Sequence, residues 1–260
     1  MDSVRVVGKK IAAACRIATE PLAVYGSDRI PEGAVHLPVI HRCIAAAMIR
    51  ISMETGISAF YLGSDAKTGC CPGGLSHTGY MTRPHAISYF VSTGKPGIPD
   101  APAEYLKADP DLVDRCFEAE GRITPPGKYL VVRTCASVPD SVKTVKAISC
   151  FGNAEQIRNL SALVHFDRAD PFSPVLVAWG PACATVVTYP AGLAERAPPE
   201  SAFIGPQDPT VNWALPPDLM AIGLPIAVAR RVAENISKSF ITKRPSVAFP
   251  DHPGASGKEQ

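Results

Sequence analysis

Residues 129–164, YLVVRTCASVPDSVKTVKAISCFGNAEQIRNLSALV, decide the fold. Two valine-rich runs, 129–135 and 142–150, alternate in the manner of half-buried strands. Asn153 then stands where a helix cap belongs, with Gln156 in the reciprocal capping position, and the spacing predicts a helix to about Val164. Strand, strand and helix follow one another without strict βαβ alternation. That order points to an α+β fold: a single domain built on a mixed β-sheet with flanking helices.

Outward from this stretch the same signals recur. Toward the N-terminus they predict a helix over 2–19, a short strand over 21–25, a helix over 38–54 and a strand over 57–62. The helix over 38–54 carries an apolar stripe at Ile40, Ile44, Ala47, Met48 and Ile51, and Gly56 lies where its C-terminal cap belongs. A helix near 85–93, a Pro-rich connection over 94–108 and a helix over 109–119 follow, with Pro110 suited to the last helix's first turn. Toward the C-terminus come a buried strand over 175–179, a helix starting near Ala182, short strands over 202–205 and 219–224, and a helix over 225–240. The domain is expected to span 1–245, and the polar, breaker-rich stretch 246–260 reads as a mobile tail.

The chain has 260 residues, 46% hydrophobic and 19% charged, enough to bury a core without disulfides. A net charge of +2 carries no basic stripe, so a nucleic-acid partner is not expected. The longest apolar stretch, 174–187, is broken by Gly180 and Pro181 and falls short of the roughly 20 residues that cross a bilayer, so no membrane partner is expected. The N-terminus reads as an amphipathic helix rather than an export signal. Eight cysteines at irregular spacing, with no Cys-x-x-Cys, fit reduced thiols in the cytoplasm better than a disulfide scaffold.

The thiol chemistry centres on GCCPGGLSHTGY, residues 69–80. Gly69, Pro72, Gly73 and Gly74 forbid regular pairing and leave backbone N–H groups free to form a nest around a thiolate. The other reading of the same residues is a tight loop with one buried thiol. A nucleotide cradle is not supported, because no Gly-Lys-Ser/Thr follows the glycines. Cys183, after Trp179-Gly180-Pro181, sits near a predicted helix start whose partial positive charge would lower its pKa, or else packs in the core. Cys43 lies on the apolar side of its helix, with polar His41 and Arg42 beside it. Cys15, Cys116, Cys135 and Cys150 read as packing residues, and His77 and His85 flank the Cys-Cys loop.

Arg42-Cys43, Cys71-Pro72-Gly73-Gly74 and Gly180-Pro181-Ala182-Cys183 occur in this order, together with Ser149-Cys-Phe-Gly-Asn-Ala-Glu-Gln156 and Ile222-Gly-Leu-Pro225. In that ordered set the chain resembles domain-of-unknown-function family 169, an uncharacterised prokaryotic family, from about Pro21 to Phe240. The resemblance implies single cysteines at Cys43, Cys71 and Cys183 and no stated activity. Family members often carry a further Cys and Arg near the place held here by 202–208, and this chain has neither. Cys70, the extra thiol, is the candidate to compensate as a fourth ligand.

Three converging thiolates from distant segments imply a metal centre with one open position, first of all a 4Fe-4S iron–sulfur cluster on Cys43, Cys71 and Cys183, with Gly73 and Gly74 lining it. The expected function is a lyase or reductase on a small anionic substrate, with His77 as acid/base and Arg42 as anchor. The alternatives are a zinc site on the same thiols with His77 or His41, a metal-free binding or scaffold protein with core cysteines, and a covalent enzyme using Cys183. Assembly as a homo-oligomer is left open.

Overall fold

The protein is described by a computed structural model over residues 2–64, 70–94 and 102–243. Among these residues eight strands form one mixed sheet: β1 (Leu22–Ser27), β2 (Val35–His36), β3 (Ala59–Gly63), β4 (Tyr129–Thr134), β5 (Val145–Gly152), β6 (Val175–Leu176), β7 (Ala202–Gly205) and β8 (Met220–Pro225). Their order across the sheet is β2-β3-β4-β1-β5-β8-β7-β6. The five inner pairings are antiparallel, and the two outermost, β2 with β3 and β6 with β7, are parallel. This is the α+β, mixed-sheet architecture that the strand–strand–helix stretch predicts. No described helix is long and apolar enough to cross a membrane.

The period-2 alternation of each strand divides two cores. One face carries Ala23, Tyr25, Val131, Ile148, Cys150, Ala202, Ile222 and Leu224, covered by α1 (Val4–Cys15), α7 (Ala154–His165) and α8 (Ile226–Asn235). The capping box at the start of α7 is formed as expected: Gln156 N–H donates to the Asn153 side chain, and Asn153 N–H donates to the Gln156 side chain. The other face carries Leu22, Val24, Phe60, Leu62, Leu130, Val132, Ala147, Phe151 and Ala221. Against it pack a one-turn helix α2 (Leu37–Ile40), α3 (Ile44–Met53), α4 (Pro72–His77) and a π-helical turn (Ala184–Thr188). Beside them α5 (Ala86–Val91) and α6 (Pro110–Glu120) share a small core of Ile87, Val91 and Val113.

Four differences from the sequence expectation bear on function. The helix expected over 38–54 is broken: His41 and Cys43 are extended, and Cys43 caps α3 instead of lying along its apolar side. The Cys-Cys stretch, expected to resist regular structure, starts a helix at Pro72, whose missing N–H and fixed φ suit a first turn. Gly69 and the tail over 246–260 lie outside the described residues. The strand expected to be buried over 175–179 pairs only at Val175–Leu176, is half-buried and forms an edge of the sheet. The helix expected from Ala182 is the π-helical turn.

That turn is seated on the sheet by close contacts. The Ser149 hydroxyl donates to the Val186 carbonyl. A Cβ on Gly223 would stand 2.6 Å from Pro190 Cγ and 3.0 Å from Val186 Cα, so only glycine lets β8 approach the turn. Gly223→Ala is therefore expected to destabilise the fold by about 1–3 kcal/mol in urea denaturation, because the obstacle is backbone as well as side chain. An unchanged midpoint would contradict this packing.

Candidate functional site

A cavity of about 370 Å³ lies between α3, α4, α5, α6 and the segment leading into the π-helical turn, and Cys43, Cys71 and Cys183 all line it. Each thiol arrives from a chain terminus of a helical element. Cys43 caps α3 and Cys71 caps α4, while Cys183 directly precedes the π-helical turn. The break at 41–43 turns the Arg42 carbonyl out of the helix, where it accepts the Cys71 N–H at 3.0 Å. Cys43 N–H in turn donates to His41 Nδ1 at 2.9 Å. The two thiol-bearing segments are thus joined through main chain.

The remaining cysteines separate from these. Cys15, Cys135 and Cys150 are buried in the core on the opposite face of the sheet, as packing residues should be, and Cys116 is half-buried in α6. Cys70 is buried behind Cys71 and does not line the cavity. Its thiol hydrogen-bonds to Cys71, and this, with burial, pushes Cys70 far up. The same bond pulls the exposed Cys71 well below the ordinary thiol range against some desolvation, helped by the N–H groups of Gly74 and Gly73. Gly74 N–H reaches Cys71 Sγ at 3.3 Å. A Cβ on Gly74 would stand 2.8 Å from Cys70 Sγ and 3.3 Å from Cys71 Sγ, whereas one on Gly73 meets nothing within 4 Å. Gly74 is required by crowding sulfurs, and Gly73 borders open space in the cavity. Cys183 reverses the expectation from its helix start: burial, then the charges of Cys71 and Cys43, push it far up. Cys43 is raised mainly by burial.

His77, at the end of α4, is buried and lines the cavity. Its Nδ1 lies 3.4 Å from Glu120 Oε1, and Arg83 Nη2 donates to Glu120 Oε2 at 2.8 Å. The Arg83 guanidinium also covers the Phe117 ring, 3.5 Å from its centroid. Burial alone would raise the Glu120 carboxyl, but His77 and Arg83 outweigh it and hold it below the ordinary value of 4.5. Thr188 on the π-helical turn donates its hydroxyl to the His77 carbonyl, which fixes the far end of α4. The 3.4 Å approach is not a formed hydrogen bond: His77 Nδ1 and Glu120 Oε1 are both buried without a hydrogen-bond partner.

The structure does not bring Arg42 or His41 into the lining: the Arg42 side chain is exposed, and the His41 ring stacks on Trp213 at 4.7 Å. The carboxylates Glu104 and Asp208 are there instead. Burial, then the Asp208 charge, pushes Glu104 up to about 7. Sequence reasoning missed both, along with Glu120 and Arg83, because Glu104 falls in the Pro-rich connection and Glu120 one residue past its expected helix. Asp208 ends the 202–208 segment where the family pattern departs, the one signal that pointed near it. Among the described residues no three His, Cys, Asp or Glu side chains are gathered to hold a single metal ion.

Two outcomes check this geometry. Alkylation of Cys71 should titrate below the ordinary thiol range, and Cys70→Ala should move that inflection upward, since it removes the hydrogen bond that favours the thiolate. An unmoved inflection would contradict the pairing of the two sulfurs. For Glu120, a depressed folded pKa means that its stabilisation is whole above the free carboxyl value and is lost as pH falls through the folded value. The stability gap between wild type and Glu120→Gln should accordingly narrow as pH falls from about 5 to about 3. A gap that stays constant or widens would contradict the ion pairs.

No curated protein and no solved structure matches the chain. A family model does match, over residues 10–235, with the description of an uncharacterised ArCR. With most of its length matched, the chain belongs to domain-of-unknown-function family 169.

Proposed function

We propose that this is a cytoplasmic iron–sulfur protein whose cluster, a 4Fe-4S centre with one open position, is held by Cys43, Cys71 and Cys183 at the cavity, and that it works as a lyase or reductase. The observation that carries the reading is the sorting of the thiols: three cysteines from three segments line one cavity, while Cys15, Cys135 and Cys150 pack behind the sheet. The donor set suits the group. Cys71 is already biased to thiolate, and the buried Cys43 and Cys183 thiols would be deprotonated by a cationic centre. A cluster requires its thiolates within roughly 6–7 Å of one another, and that separation is what the reading demands of Cys43, Cys71 and Cys183. All eight cysteines are free thiols, in keeping with a reducing compartment.

When bound, the open iron would supply Lewis acidity toward a substrate oxygen or sulfur. The chain supplies the rest. His77, which lines the cavity beside Glu120, is the side chain that would give or take a proton there. Cys70 serves as a hydrogen-bond donor to the Cys71 sulfur rather than as a ligand, which would tune the potential of a centre held there. The Arg42 anchor for an anionic substrate finds no support in the lining.

His77 in the same lining favours a second reading, zinc on the same thiols with His77, because an imidazole nitrogen beside thiolates is a zinc donor set. Anaerobic purification with metal and sulfide analysis separates the two. The cluster reading expects about four irons and as many sulfides per chain, with visible absorbance that bleaches in air. Cys43→Ser, Cys71→Ser and Cys183→Ser should each lose it, and Cys116→Ser should keep it. Protein with neither iron nor sulfide would overturn the cluster, and stoichiometric zinc would establish the second reading in its place.

A further inference from the structure

The walls of the cavity carry a chemistry that the thiols do not use. Phe90, Phe117, Trp179 and Trp213 line it together with Glu104 and Asp208, and no lysine or arginine among the described residues does. Backbone fixes the Asp208 carboxylate directly and, for Glu104, the main chain that carries it. The Asp208 side chain accepts from Thr210 N–H at 2.8 Å, and Glu104 N–H donates to the Phe90 carbonyl at 2.8 Å. Asp208 is 8% exposed, so its charge faces little water. Two cations sit on these same rings without entering the lining: Arg83, paired with Glu120, covers Phe117 at 3.5 Å, and Lys107 lies over Trp179 at 4.4 Å, which leaves Phe90 and Trp213 with no cation contact of this kind.

Two carboxylates in a partly desolvated, aromatic-walled space repel each other, and a positive group between them relieves that repulsion. Aromatic rings attract the same charge through their quadrupoles and shed water from its alkyl substituents. We propose that the cavity takes a small organic cation, an alkylammonium group held by Glu104 and Asp208 and enclosed by Phe90, Phe117, Trp179 and Trp213. This names the ligand class of the site proposed above and rests on that cavity being the working one, but not on the identity of any metal.

The chain's two tryptophans, Trp179 and Trp213, both line this cavity, so its intrinsic tryptophan emission reports on occupancy. The full-length protein, as isolated and after iron removal, would be titrated with tetramethylammonium and butylammonium chloride and with butyrate and sulfate at constant ionic strength. The expected result is a saturable emission change with the ammonium ions, at Kd values at least about tenfold below those of the anions. Glu104→Gln and Asp208→Asn should each weaken ammonium binding about tenfold, the effect of losing a charged partner. Asn retains an oxygen for Thr210 N–H, so Asp208→Asn preserves the local turn. Anions binding as tightly as the cations, no saturable response to either cation, or carboxamide variants that bind the cations like wild type would overturn the proposal. Cation binding by protein that never carries iron or sulfide would leave this inference standing while the cluster reading fails, and a clustered protein blind to ammonium would do the reverse.

Discussion

One hydrogen bond holds the two halves of the thiol site in register, from the Cys71 N–H to the Arg42 carbonyl. It exists only because the chain leaves helical geometry at His41–Cys43. A continuous helix would have used that carbonyl for an intrahelical bond four residues on. The break frees the acceptor, places Cys43 at a helix start and docks the next thiol segment against it. The third segment is anchored independently, by Ser149 and Gly223 beneath the π-helical turn and by Thr188 to the His77 carbonyl. Cysteines far apart in the sequence therefore share a wall without a single disulfide.

The electrostatics of the cavity follow from what surrounds each group. Cys70 and Cys71 are shifted in opposite directions by a shared hydrogen bond and by glycine N–H groups, while burial and the neighbouring sulfurs push Cys183 far up. On the His77 side the charges are compensated in sequence, imidazole to carboxylate to guanidinium to aromatic ring. On the Glu104 side two carboxyl groups line the cavity with no lysine or arginine among the described lining residues, and Glu104 is pushed up to about 7. One wall of the cavity is electrostatically closed and the other is open.

The strands and helices that bury strong alternation or stripes could be read from the chain alone: β4, β5 and α7 declare themselves by valine periodicity and an Asn–Gln box. Cys135 and Cys150 read as packing residues because each ends a valine-rich run, and both are buried in the core on one face of the sheet. What escaped were features set by tertiary contact. The apolar stripe at Ile40 and Ile44 suggested one helix, but it spans two elements with a bend between them, and periodicity cannot see a bend that preserves a face. Pro72 reads as a breaker in the sequence and is a starter in the fold, since the same fixed φ serves both. Glu104, Glu120 and Asp208 bear on the site only through approach of segments remote in sequence, and no local pattern marks such carboxylates. Arg42 illustrates the opposite error: adjacency to a cysteine placed its backbone, not its side chain, at the site.

The outermost strands of the sheet, β2 and β6, pair over only two residues each and run parallel to their neighbours. Sheet edges are where copies of a protein most readily join, through rows of unpaired backbone groups. Edges this short present little ladder to extend. Pairing of two copies through these described edges would form few backbone hydrogen bonds, so helix faces and loops offer the larger contact surfaces. The cavity with its thiols would stay clear of the strand-addition chemistry that drives aggregation in flatter, longer-edged sheets.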